Sequence, residues 1–316
     1  MKIAENLIGL IGNTPLVHLN YLPDPDDATI LAKLESYNPG GSIKDRIGYA
    51  MIADAEERGL LKPGSTIVEP TAGNTGIGLS IVAIAKGYRV TLTMPENVSR
   101  EKYTLLASFG AEIILTPEDA GMGGAIWEAE EIIARNPHNF MPNQFENPVN
   151  PEIHRQTTAR EILDDIDREI DFLVVGVGTG GTLTGVGEVL KTHRPKTQVV
   201  AVEPSISPVL SGGQPGPTRI DGIGAGRIPD VLNVNVIDQV ITVSDGEAYH
   251  MMRRISKAEG LLVGMSSGAN VHAALEVARG LGKDKTVVTI LPDTGDRYFS
   301  LDQYFGSRIG AEAGFE

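Results

Sequence analysis

The residue with the most chemical potential is a lysine where a cation is electrostatically awkward. The segment Asn38-Pro39-Gly40-Gly41-Ser42-Ile43-Lys44-Asp45-Arg46 opens a helix predicted to run to about Gly59. Ser42 and Asp45 have capping-box spacing, with Asp in place of the usual Glu or Gln. That puts Lys44 near the second helical position. The helix dipole opposes a cation there, favours the neutral amine and lowers its pKa. A neutral amine is what imine formation with a carbonyl compound needs. The alternative is a surface lysine at a frayed helix start, since Arg46 nearby shows that cations are tolerated.

Two glycine-rich turns could hold anions. Gly176-Val177-Gly178-Thr179-Gly180-Gly181 fits G-x-G-x-x-G between a strand and a helix, and Glu203 closes the next strand. Read alone, this is a dinucleotide-binding fingerprint. Its converging N–H groups and helix N-terminus serve a single phosphate equally well. The hydroxyls of Thr179 and Thr182 are suited to cradling such a phosphate. The second turn, Thr71-Ala72-Gly73-Asn74-Thr75-Gly76, also opens a helix after a strand. Its short polar side chains suit a carboxylate or a phenolate oxygen, with simple helix capping as the alternative.

The elements that must position these groups follow a strand, glycine turn, helix, strand pattern. It occurs at Thr66–Pro70 with the helix through Ala85 and the strand Arg89–Thr93, and again at Phe172–Val175 with the helix to about His193 and the strand Gln198–Val202. Short β-branched runs alternating with helices predict parallel sheets covered on both faces, hence two doubly wound α/β domains. Glu112–Thr116 reads as a strand, 124–135 as a helix carrying Trp127, and Thr286–Leu291 as the last strand. The Asn- and Pro-rich stretch 143–151 reads as a domain boundary, and the Gly- and Pro-dense stretch 205–230 as a long functional loop.

Composition narrows the function further. The 316 residues suffice for two domains around a shared cleft. A net charge of −14 leaves no basic surplus for nucleic-acid phosphates. The absence of cysteine excludes disulfides, a thiolate nucleophile and cysteine-built zinc sites, and no metal is implied. The early Glu5 and the lack of a long apolar core do not read as a secretory signal, and no segment reaches the ~20 apolar residues of a membrane span. A cytoplasmic enzyme acting on small molecules is expected.

In this order the segments resemble the cysteine synthase / cystathionine β-synthase family of fold type II pyridoxal-phosphate (PLP) enzymes. Residues 38–46 resemble its PLP-lysine segment, 69–78 its asparagine loop and 178–182 its phosphate cup. Gly222-Ile223-Gly224-Ala225-Gly226 resembles a mobile glycine loop, and Gly264-Met265-Ser266-Ser267-Gly268 the segment at the pyridine nitrogen. Asn13-Thr14-Pro15-Leu16 and 291–298 are further landmarks, and the match runs from about residue 7 to 305. The resemblance implies that Lys44 holds PLP covalently and then acts as the base at the substrate Cα. Asn74 would bond the ring oxygen, Gly178, Thr179, Gly180, Gly181 and Thr182 the phosphate, and Ser266 would face the ring nitrogen. Thr71, Ala72, Thr75 and Gln144 would hold the substrate carboxylate, with Gly222 near its amino group. It further implies a smaller, mobile domain 41–148, a larger one of 1–40 plus 149–310, a tail 311–316, and a homodimer.

The implied reaction is β-replacement on an activated serine, O-acetylserine plus sulfide giving cysteine. Two departures bear on the substrates. Ala72 stands where cysteine synthases usually have serine, a variant that resembles bacterial members acting as O-acetylserine-dependent cystathionine β-synthases. Gly123 replaces a common lysine, removing a cation near the entrance. The 222–226 loop favours the cysteine-synthase type. Competing readings are a nicotinamide-dependent dehydrogenase, which leaves Lys44 and the 71–76 turn unexplained, and a non-catalytic partner, against which Lys44, Asn74 and Ser266 argue.

Overall fold

The computed structural model describes residues 3–306, so the tail at 311–316 lies outside the described residues. The strands form two sheets. The larger contains β1 (Leu16–His18), β2 (Thr29–Leu34), β6 (Phe172–Gly176), β7 (Gln198–Pro204), β8 (Gln239–Val243) and β9 (Thr286–Leu291), in the order β1-β2-β9-β6-β7-β8. The smaller contains β3 (Thr66–Pro70), β4 (Arg89–Pro95) and β5 (Glu112–Thr116). Every pairing is parallel except β1 against β2, where Leu16 lies opposite Lys33. The expected parallel sheets therefore carry one antiparallel edge, a strand of three residues that sequence reasoning missed.

The α-helices among the described residues are α1 (Lys44–Glu57), α2 (Asn74–Lys86), α3 (Arg100–Ser108), α4 (Gly121–Arg135), α5 (Val149–Ile153), α6 (Ala159–Asp165), α7 (Gly181–His193), α8 (Asp245–Glu259), α9 (Met265–Ala278) and α10 (Asp302–Phe305). Alternation along the large-sheet strands splits the core in two. Ile30, Ala32, Val174, Val200 and Val287 pack with residues of α8 and α9. Leu31, Leu173, Val175, Val199 and Val288 pack with α6 and α7. A sheet buried on both faces is what a doubly wound α/β fold requires.

The small sheet shares a third core with α1 and α2, through Ile47, Met51, Ile77 and Leu79. These helices touch through glycine. A Cβ on Gly48 would sit 2.6 Å from the Gly78 carbonyl carbon, and one on Gly78 would sit 2.6 Å from the Lys44 carbonyl oxygen. Backbone contact this close seats the start of α1 against α2 and so fixes Lys44 beside the 71–76 turn. Among the described residues no helix is long and apolar enough to cross a membrane.

Candidate active site

Four helices begin at one cleft. These are α1 at Lys44, α2 at Asn74, α7 at Gly181 and α9 at Met265; none has a capping N-cap side chain, although Ser42 Oγ accepts from Lys44 N and Thr179 Oγ1 from Gly181 N. By contrast α8, elsewhere in the fold, carries a complete capping box from Ser244 and Glu247. Uncapped N-termini leave backbone N–H groups for an anionic ligand. The capping alternative for Asn74 and Thr75 therefore fails.

The cleft has an outer chamber of about 270 Å³, whose wall includes Lys44, Thr71, Ala72, Asn74, Thr75 and Gln144. It opens into an inner cavity of about 40 Å³, walled by Thr179, Gly180, Thr182, Ser266 and Asn270 among others. Lys44, Asn74, Gly178, Thr179 and Gly222 belong to both walls. Of the residues expected to hold cofactor or substrate, Gly181 alone is absent from both walls. A Cβ there would collide with the Asn150 amide.

Lys44 is the first helical residue rather than the second, and the expected capping box does not form. Ser42 Oγ accepts from Lys44 N at 3.2 Å, but the Asp45 carboxylate turns back to accept from Gly40 N at 2.5 Å. A carboxylate one atom shorter than Glu fits this tight turn. Part of the Lys44 surface faces the cleft while protein walls the rest. Burial lowers its pKa to about 8, and the Asp293 carboxylate partly opposes that drop. Loss of hydration, more than the helix dipole argued from sequence, thus makes the neutral amine accessible near neutral pH.

On the outer wall, Thr75 donates its hydroxyl to Gln144 Oε1 at 2.6 Å, leaving the Gln144 amide nitrogen available as a donor. Gln144 follows Asn143, which has a left-handed backbone with φ of 51°. The turn is held from behind by Glu69, a buried carboxylate at the end of β3. It accepts from Asn143 N at 2.9 Å and Gln144 N at 3.2 Å. Burial raises the Glu69 pKa to about 7, although both backbone bonds pull it down. Thr71 Oγ1 accepts from Gly73 N at 3.2 Å, so its own proton is available to a ligand.

The inner cavity has donors at one end and a neutral hydroxyl at the other. Gly178 comes so close to Gly222 that a Cβ would lie 2.0 Å from the Gly222 carbonyl oxygen. Thr179 accepts from Asn150 Nδ2 at 3.0 Å, and Thr182 shares a proton with His154 Nε2 at 3.2 Å. Burial, then the nearby Arg46 and Lys44, holds the His154 pKa well below the usual imidazole range, so this histidine is neutral. Ser266, the second residue of α9, is buried on the cavity wall. Glu203 does not face the cavity. It accepts from Leu210 N at 2.7 Å and Ser211 N at 2.9 Å, pinning the start of the long loop. The acidic residue a dinucleotide would need is therefore already engaged, and the dehydrogenase reading fails on geometry.

Several residues at the site had no role from sequence. Asn74 donates from Nδ2 to Asp293 Oδ2 at 2.6 Å and accepts from Arg297 at Oδ1. Tyr298 donates to the same carboxylate. These three follow β9 inside the 291–298 landmark, whose charge and aromatic density was the available signal. Lys102, from α3, pairs with Asp221 at 2.6 Å on the cleft wall. This pair brings a cation to the cleft wall from a helix that sequence gave no reason to place there, whereas Gly123 is not part of that wall.

A parallel α/β fold whose cleft joins a desolvated lysine to an anion-binding glycine turn defines a class of cofactor-dependent enzyme. The chain belongs to the family of pyridoxal-phosphate dependent enzymes, which matches residues 7–293. It is 52% identical to the cysteine synthase of Staphylococcus aureus (strain Mu50 / ATCC 700699), over 96% of this chain and 98% of that one. Among solved structures, cysteine synthase from Entamoeba histolytica superimposes with a TM-score of 0.91 at 43% identity, covering 96% of this chain and 91% of that one. The O-acetylserine dependent cystathionine β-synthase from Helicobacter pylori gives 0.89 at 41% identity, covering 95% and 98%.

The residues present fit this cofactor. PLP carries an aldehyde, a phenolic oxygen, a pyridine nitrogen and a phosphate. The walls offer the Lys44 amine, the Asn74 amide N–H, the neutral Ser266 hydroxyl, and a glycine turn with two threonines at the start of α7. Asn270 Oδ1, a buried acceptor on the inner wall, has no partner within the protein.

Proposed function

We propose that this protein makes L-cysteine by β-replacement, exchanging the acetoxy group of O-acetyl-L-serine for sulfide and releasing acetate. The observation that carries the proposal is the Lys44 amine, with a pKa of about 8, standing where the inner cavity meets the outer chamber. The 52% identity to a cysteine synthase over nearly the whole chain supports the choice of reaction.

When bound, PLP supplies an electron sink for charge developing at the substrate Cα. The chain's own residues do the remainder. Lys44 would hold the cofactor through its amine, and the same amine, when free, would take the substrate Cα proton. Gly178, Thr179, Gly180, Gly181 and Thr182 hold the phosphate with backbone N–H groups and hydroxyls. Ser266 meets the ring nitrogen with a neutral group, which weakens the sink relative to an acidic partner and favours loss of the Cβ substituent over transamination. Asn74 donates to the ring oxygen. Thr71, Thr75, Gln144 and the N–H groups at the start of α2 bind the substrate carboxylate beside Ala72, and Gly222 lies near the substrate amino group.

Residues 41–148 form a smaller unit that moves against the larger one of 1–40 and 149–310. The location of β3 to β5 in the first, and of all other strands in the second, supports this division. The protein works as a homodimer in the cytoplasm. The missing hydroxyl at Ala72 favours a second reading, in which homocysteine is the nucleophile and cystathionine the product.

The test is to compare kcat/KM for O-acetylserine with sulfide and with homocysteine, alongside the spectrum of the purified protein. The proposal requires a visible cofactor band that Lys44→Ala abolishes, and a preference for sulfide. A preference for homocysteine establishes the second reading. Absence of the band after PLP addition refutes both.

A further inference from the structure

Asp293 is a buried acid that the reaction above does not use. It follows β9 and Pro292, and only 1% of its surface is exposed. Its Oδ2 accepts from Asn74 Nδ2 at 2.6 Å and from the Tyr298 hydroxyl. Its Oδ1 has no hydrogen-bond partner and lies against Gly264, where a Cβ would stand 2.0 Å away. Burial raises the Asp293 pKa, while the bonds from Tyr298 and Asn74 and the nearby Arg297 favour the ionised form, as does the start of α9 just after Gly264. On the other side of Asn74, Arg297 donates to Oδ1 from one nitrogen and to the Gly40 carbonyl from another.

Asn74 therefore sits between a carboxylate and a guanidinium. A side-chain amide can be turned over with little change of shape, exchanging its oxygen for its NH2. Here only one orientation is tolerable. Turned over, the amide would set its oxygen against Asp293 and its NH2 against Arg297, two like-with-like contacts at partly buried groups. In the observed orientation Asp293 takes one of the two Nδ2 hydrogens. The second remains for a ligand in the cleft, whose wall includes Asn74.

We propose that Asp293 is a positioning residue with two effects: together with Arg297 it fixes which end of Asn74 is offered to the cofactor, and it is the counter-charge of Lys44. The proposal rests on the reading that the cleft holds PLP on Lys44. The chain at Asp293 pairs with the chain leading into Lys44, Ser42 lying opposite Asp293 and Ile43 N donating to the Pro292 carbonyl at 2.9 Å, which sets the acid beside the Lys44 amine, where its charge opposes the fall in pKa. Of the other charges around Lys44, the Asp45 carboxylate turns back to Gly40 N. His154, beneath α1, is neutral. Arg46 is paired with Glu35 and Glu161, and Lys102 with Asp221. Arg297 is held by Asn74 and Gly40 and faces the cleft.

Two variants with separable signatures test the proposal. In the apoprotein, the pH dependence of Lys44 labelling by an amine-reactive reagent, read by mass spectrometry, reports the lysine directly. In the holoenzyme, the long-wavelength cofactor band reports hydrogen bonding at the ring oxygen. Asp293→Asn should lower the labelling midpoint by about half a pH unit or more, because a negative charge is lost. It should also remove at least about a third of the band at neutral pH, because both orientations of Asn74 become populated. Arg297→Gln should reduce the band while leaving the Lys44 midpoint within about 0.2 pH unit, since Asp293 remains. Circular dichroism melts establish that each variant is folded. A folded Asp293→Asn protein with unchanged midpoint and band overturns the proposal. Should that variant not fold, an unchanged band in Arg297→Gln overturns the orientation role by itself. Failure of Lys44→Ala to abolish the wild-type band would instead sink the underlying reading.

Discussion

Replacing Glu69 by glutamine separates two consequences of one buried carboxylate. Glu69 grips the backbone N–H groups of Asn143 and Gln144, and so places the Gln144 amide on the cleft wall. Glutamine has one acceptor oxygen and a donor NH2, so one N–H loses its partner and faces another donor. An unsatisfied buried group costs about 1–3 kcal/mol. If half of that reaches the substrate carboxylate, KM for O-acetylserine rises about tenfold or less, with kcat within about threefold. Stability should move differently with pH. Burial raises the Glu69 pKa from 4.5 to about 7, so the neutral form is the one the fold prefers. Stability from this group is complete below pH 4.5 and is lost as pH rises towards about 7, where the native protein must ionise it too. Between pH 5 and 8 the loss is roughly 2.5 kcal/mol at about 1.4 kcal/mol per pH unit. Glutamine does not titrate, so the unfolding free energy of Glu69→Gln should gain on the wild type by about that amount across the same interval. Urea unfolding at several pH values measures it. A wild-type-minus-variant difference that stays flat from pH 5 to 8 would refute the linkage, and an unchanged KM would refute the positioning role.

Three further changes probe other parts of the site. Ala72→Ser restores a hydroxyl beside the uncapped start of α2, and one added hydrogen bond of about 0.5–1.5 kcal/mol should lower KM for O-acetylserine by about two- to tenfold; steady-state kinetics will show it. Lys102→Ala removes the pair with Asp221, whose side chains are 22% and 42% exposed. Such a pair is worth under about 1 kcal/mol, so Tm should barely change while kcat/KM falls by less than about fivefold and loses salt dependence. Gly78→Ala drives a methyl group into the Lys44 carbonyl. Overpacking of this kind costs about 1–3 kcal/mol, and the α1 displacement should shift the cofactor band as well as the urea midpoint.

How much of this could be read from sequence depended on how local the cause was. The glycine turns and the lysine were legible because turn, helix start and side chain lie within a few residues of one another. Strands such as Thr286–Leu291 were legible as short β-branched runs, buried because both sheet faces are covered. β1 was not, because three residues carry no period. Nor was the capping-box failure at Ser42, which depends on Asp45 finding a nearer donor in Gly40 N. The G-x-G-x-x-G turn fitted two ligands equally until Glu203 proved to be engaged by Leu210 and Ser211, partners that no spacing rule anticipates.

The same distinction explains why the reason for Lys44's reactivity changed while its identity did not. A helix dipole is a local property, readable from position, but it is a modest field that falls off within the first turn. Burial is a property of the whole fold: it needs α1 pressed against α2 through Gly48 and Gly78, the 176–181 turn opposite, and the chain after β9 alongside. Those elements are far apart in sequence, and so is Asp293, the acid that limits how far the amine's proton affinity falls. A lysine too strongly desolvated would be a poor base for a Cα proton, and one fully paired would be a poor nucleophile. An amine near pKa 8 is suited to both tasks because a non-local loss of hydration is opposed by a single non-local carboxylate.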